Sequence, residues 1–148
     1  MRYAQDQINT ALLKLIETDN SIEYPSGTGI SAYTEVSNDS VFPLIVIEPN
    51  SSGENDVTRD SIGQSYSMNV EVLAKYKQGA GGWGANNNIT NQLTEILRDK
   101  GLYLDLSADD FKVKSQIIQS ITTIREAYKD GVYFRTIISL EIKIEDLT

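Results

Sequence analysis

The chain has 148 residues, 40% of them hydrophobic, and 13 basic against 21 acidic side chains give a formal charge of −8. Cysteine and histidine are both absent. That excludes disulfides, thiolate nucleophiles, Ser-His-Asp and Cys-His catalysis, and zinc or haem held by Cys or His. The acidity argues against specific nucleic-acid binding, because neutralising phosphates takes clustered Lys and Arg.

The length predicts a single domain over residues 1–148, large enough to fold on its own core. No run approaches 18 apolar residues, and Met1–Asp6 lacks the apolar core of a secretory leader. No membrane segment is therefore expected, and the chain is expected to fold in a cytoplasm.

Ile8, Leu12, Leu15 and Ile16 fall on one stripe of a 3.6-residue helix, predicted from about Asp6 to Thr18 and ending near Asp19-Asn20. Gln5, Gln7 and Asn9 lie off that stripe, and Pro25 precludes a long continuation. Residues 25–41 are polar and turn-rich, but Ile30, Ala32, Thr34 and Val36 alternate, which predicts a short edge strand. Leu44-Ile45-Val46-Ile47, between Pro43 and Pro49, reads as a short buried strand with a proline at each rim. Asn50–Gly63 reads as a long polar loop.

From Gln64 the pattern alternates. Tyr66, Met68, Val70, Val72, Ala74 and Tyr76 share one face of a strand, while Ser65, Ser67, Asn69, Glu71 and Lys75 take a wet or polar-covered face. Gln78–Gly84 is a Gly-rich loop leading to a second helix, with Asn86 or Asn87 as N-cap, a stripe of Ile89, Leu93, Ile96 and Leu97, and an end at Lys100-Gly101. Leu102–Leu106 is a short strand or linker. Lys112–Arg125 and Val132–Glu145 are strands, with Asp130-Gly131 as the hairpin signal between them. These elements predict an α+β fold: a mostly antiparallel sheet with two main helices packed on one face.

Gly79-Ala80-Gly81-Gly82-Trp83-Gly84 matches the dinucleotide fingerprint G-x-G-x-x-G, with Asp105 about 20 residues on. Its context fits poorly. The preceding strand alternates instead of being apolar on both faces, Lys77-Gln78 separate it from the first glycine, and Trp83 sits where the helix should have begun. A flexible strand-to-helix loop with Trp83 as an exposed or partner-facing anchor is the better reading. The carboxylates Glu48, Glu54, Asp56 and Asp60, and the group Asp105, Asp109 and Asp110, match neither a glycosidase pair nor an EF-hand and read as solvated surface. Tyr66, Tyr76 and Phe134 fall on apolar strand faces, whereas Tyr3, Tyr24, Tyr33 and Tyr128 fall near element ends, where an interface could use them.

The layout resembles the tail terminator (tail completion) proteins of long-tailed bacteriophages. The resemblance rests on a helix ending near Thr18 and on Gly29–Val36 leading to Phe42-Pro43-Leu44-Ile45-Val46-Ile47. The long strand Ser65–Tyr76, the Gly-containing loop before Ala85-Asn86-Asn87, and a final strand pair turning at Arg125–Val132 complete it. The polar loop and the 79–84 stretch depart from that pattern. The resemblance implies a structural virion protein of the tail or neck, assembled in the host cytoplasm, without catalytic residues or cofactors. It implies a homo-oligomeric ring, usually of six subunits, that caps the tail-tube protein and meets the head connector. Six copies at −8 each would carry about −48, a field that disfavours gripping DNA in the lumen. Candidate interface residues are Tyr33, Glu54, Asp56, Arg59, Trp83 and Tyr128. The rival readings are another head–tail joining subunit, or a nucleotide-binding domain using Gly79–Gly84.

Overall fold

A computed structural model of the chain describes residues 3–18, 22–25, 27–35, 41–55, 63–79, 81–98 and 104–147. In chain order these form α1 (Gln5–Leu13), continued by a π-helical turn over Lys14–Thr18, then β1 (Ala32–Tyr33), β2 (Leu44–Asn55) and β3 (Gly63–Tyr76). There follow α2 (Gly84–Arg98), a 3-10 turn at Ser107–Asp109, β4 (Phe111–Tyr128) and β5 (Gly131–Asp146). The five strands make one sheet in the order β1-β2-β3-β5-β4. Every neighbouring pair is antiparallel except β1 with β2, which is parallel. The expected α+β architecture, with both helices on one face of a mostly antiparallel sheet, is the one observed.

Alternation explains which face is covered. Tyr66, Met68, Val70 and Val72 of β3 and Ile138, Leu140, Ile142 and Ile144 of β5 are all buried in one core with Ile45 and Ile47 of β2. The α1 stripe and Ile89, Leu93 and Leu97 of α2 complete that core from above. Each such side chain contributes about 1.5–3 kcal/mol by leaving water. Gln5, expected off the stripe, is buried instead, and its amide donates to Asn9 Oδ1 at 2.9 Å and to Met68 Sδ at 3.0 Å. The Tyr66 hydroxyl accepts the Ala4 amide N–H at 2.8 Å, tying the start of α1 to β3.

Three side-chain amides hold α2. Asn86 Nδ2 donates to the carbonyls of Phe134 at 2.8 Å and Val72 at 3.2 Å. Gln92 both accepts from the Glu23 N–H at 3.1 Å and donates to the Glu23 carbonyl at 2.8 Å. Gln116 of β4 donates to the Leu97 carbonyl at 3.1 Å and accepts the Leu104 N–H at 3.4 Å. Asn86 is therefore not the N-cap. The helix begins two residues earlier, at Gly84, and Asn86 is a fully buried clamp between α2 and the sheet backbone.

The largest departure from expectation concerns Asn50–Gly63. Asn50–Asn55 continue β2, which runs past Pro49 through a register shift between Pro49 and Ser51 and pairs with β3 down to Asn55↔Gly63. A bulge on an outer strand accommodates a proline that has no N–H to give. The short buried strand is thus the first third of a 12-residue one; residues 56–62 lie outside the described residues. The edge strand expected over 30–36 is reduced to Ala32–Tyr33, and Val36 lies outside the described residues. So do Asp19-Asn20 and Lys100-Gly101, where the helix ends were expected. The β4–β5 hairpin turns through Lys129-Asp130, with Tyr128 paired to Gly131.

Candidate functional site

The glycine loop is accounted for by packing. Gly81 has φ +76°, and a Cβ there would lie 2.2 Å from Cγ of Tyr76. Only glycine combines that backbone with a tyrosine ring at that distance. The strand before the loop is antiparallel to both neighbours, so no parallel βαβ unit forms the crevice a dinucleotide needs. Trp83 is half-buried and meets Phe134 edge-to-face at 4.9 Å, in a small second cluster with Ala74, Val132 and Tyr76. The exposed side chain expected there is thus half-buried, with one side of the indole packed inside the chain.

The acidic group near residue 105 has a local role. Asp105 Oδ1 accepts from the Ser107 N–H at 3.1 Å and the Ser107 hydroxyl at 2.6 Å, which closes a local turn leading into the 3-10 segment. Those bonds hold its carboxyl below the usual range. Asp105 and Asp109 border an open cleft of about 280 Å³ against Asp6, Gln7 and Lys14 of the first helical segment. Among the described residues, no group of three or more carboxylates is placed to hold a metal ion.

The second face of the sheet bears no described helix, yet it is ordered by its own charges. Arg135 of β5 reaches across two strands at once. Its Nε and Nη2 donate to the Glu71 carboxylate of β3, the latter at 3.3 Å, and its Nη1 donates to Glu126 of β4 at 2.6 Å. Glu71 first and Glu126 second raise the Arg135 pKa well above its ordinary value. Glu126 also accepts from the Tyr128 hydroxyl, and this bond, with Arg135, keeps its carboxyl low.

Beside this bridge, Lys75 Nζ contacts Asp130 Oδ2 at 3.1 Å, and Tyr133 donates to the same oxygen at 3.1 Å. Asp130 is lowered by Lys75 above all. The Lys75 ammonium lies 5.4 Å from the Tyr133 ring centre and 6.0 Å from that of Phe42, while Tyr128 meets Tyr133 edge-on at 5.5 Å. Farther along the strands, Lys114 pairs with Glu145 at 3.2 Å and Gln119 donates to Glu141 at 2.7 Å. Each of these carboxylates already has a cation or a donor. The arrangement suits a surface that stays ordered without a partner, rather than a site with a poised acid or base.

The proposed interface residues are not brought together. Tyr33 is half-buried on β1, opposite Val46. Glu54 is exposed at the far end of β2, paired with Gln64. Tyr128, 52% exposed, lies at the hairpin end of β4. Trp83 is at that same end on the helix side. Asp56 and Arg59 lie outside the described residues. Sequence reading missed Arg135, Glu71 and Asn86. The first two carried a signal, opposite charges on the polar sides of two alternating strands, but pairing them required the β3–β5 register.

The sheet leaves two outer margins. β4 spans 18 residues, and no described strand pairs with its outer side. Ile117 and Ile121 on it are 52% and 43% exposed. On the opposite margin, β1 covers only Ile45 and Val46, so β2 from Ile47 to Asn55 has no described neighbour beyond it. Among the described residues no helix is long and apolar enough to cross a membrane. No protein-family model matches the chain, and no curated protein matches it.

Proposed function

We propose that this chain is a non-enzymatic virion assembly subunit, a tail terminator that caps the tail tube as a ring and meets the head connector. The observation that carries the reading is the long margin of β4, with no described strand on its outer side. Long open margins are normally shortened, covered or closed, because they recruit other strands. A subunit that works by joining copies has reason to keep one. The resemblance of the element order to the tail terminator layout adds the expectation of a tail-tube partner.

Native mass measurement of the purified chain, alone and with tail-tube protein, tests this. A closed oligomer that binds tube ends in electron micrographs is the expected result. A monomer that neither self-associates nor binds tubes would overturn it.

A further inference from the structure

The two open margins of the sheet differ in charge. β4 carries Lys112, Lys114 and Arg125 against one acid, Glu126, which is already bound to Arg135. β2 carries Glu48 and Glu54 and no base. In a chain of net charge −8, the longest strand is thus a basic one, and the strand at the opposite margin is acidic. All five of these outlying charges, Lys112, Lys114, Arg125, Glu48 and Glu54, are exposed. Between the two ends of β4, residues Gln116 to Ile124 contain no charge, no Pro and no Gly, and four of them are isoleucine. A register shift against β5 between Ile118 and Ser120 is the one irregularity in that stretch, and no charge or proline there opposes another strand.

We infer that β4 of one copy pairs with the Ile47–Asn55 part of β2 of a second copy, extending the sheet from subunit to subunit. No described strand pairs with the outer side of either segment, so the contact is main-chain hydrogen bonding, with the opposite charge of the two margins selecting the partner. Within one sheet β2 and β4 run antiparallel, because three antiparallel steps separate them. A second copy related by rotation about an axis along the strands presents its β2 to β4 in the same antiparallel sense. The two surfaces are different and lie on opposite margins, so the contact is head-to-tail and repeats until it closes a ring or grows a filament. This rests on the reading above only in that copies join. It needs neither a tail tube nor a virion.

Sedimentation velocity and native mass measurement of the full chain provide the test, using Lys112→Glu/Arg125→Glu and Glu48→Lys/Glu54→Lys, with circular dichroism to verify folding. Wild type should be oligomeric. Each double variant should associate at least about tenfold more weakly, since the two margins then carry net charge of the same sign. A mixture of the two variants should regain the oligomer, because each junction between unlike variants again joins margins of opposite sign. Hydrogen exchange on wild type gives a reading that needs no substitution: amides of 111–128 and 47–55 should gain protection as the oligomer forms. A monomeric wild type, an oligomer indifferent to either reversal, a mixture that stays dissociated, or unprotected β4 amides would each overturn the pairing. An oligomer that depends on these charges yet leaves tail tubes uncapped would remove the virion role and keep the pairing. Capping that survives both reversals would do the opposite.

Discussion

The two faces of the sheet are held by different physics. Under α1 and α2, packing of apolar side chains dominates, and polar groups there are mostly amides that clamp backbone, as Asn86 and Gln116 do. On the face without helices, order comes from charge: Arg135 ties β3 to β4 across β5, and Lys75, Asp130 and Tyr133 lock the hairpin end. A face of the first kind fixes the fold. A face of the second kind can stay wet and specific, and a partner approaching it meets neutralised carboxylates in place of a reactive group. The difference teaches that a sheet need not be covered to be defined.

Breaking the covered face should be the most damaging change. Leu93 is fully buried in α2, and Leu93→Asp places a carboxylate where nothing can pair with it. The cost is several kcal/mol, comparable to a domain's whole net stability of about 5–15 kcal/mol. Loss of the cooperative urea transition in circular dichroism is the expected outcome, and a soluble, cooperatively folding variant would show the core to be elsewhere.

On the open face the corresponding change is Arg135→Met. It strands Glu71, whose side chain is 9% exposed, without its cation. Removing one partner of a fully buried pair costs about 3–5 kcal/mol, but the Arg135 side chain is 34% exposed, so about 2 kcal/mol is expected, read as a lower urea midpoint with unchanged far-ultraviolet signal.

The mildest probe is acid. Glu126 and Asp130 titrate below their ordinary values of 4.5 and 3.8 in the folded chain, so their contribution is complete above those values and is lost as pH falls through the lowered ones. The melting temperature should be flat from about pH 7 to about pH 5 and decline below about 4.5. Lys75→Met removes the chief cause of the Asp130 shift and should shallow that decline; an unchanged profile would assign the acid sensitivity elsewhere, Asp105 included.

Much of the covered face was legible because burial imposes a period. The stripe Ile8, Leu12, Leu15, Ile16 and the alternation from Tyr66 to Ala74 each follow from one side packing and the other not. What escaped was structure without a period. Glu48–Glu54 is exposed on both sides, so a strand there has no apolar alternation to reveal it and reads as loop. Asn86 looks like a cap because asparagine usually serves at helix starts, whereas its work here is done across the sheet, at carbonyls 14 and 48 residues away. The Arg135 bridge left only opposite charges on polar strand sides as a signal, because two of its three members stand 64 residues apart in sequence. The packing of Trp83 on Phe134 was hidden in the same way, because the two lie far apart in sequence.

The strand order has a consequence for the timing of folding. β5 is the last strand in the chain, yet it sits between β3 and β4, both of which precede it. Until Gly131–Asp146 has been synthesised, β3 has only β2 to pair with and β4 has no strand neighbour at all. A nascent chain therefore waits with two sticky margins showing, and closure is a late insertion, the kind of long-range step that is slow and exposed to misassembly. The ribosome-bound intermediate, more than the finished chain, is the species on which holding chaperones should act.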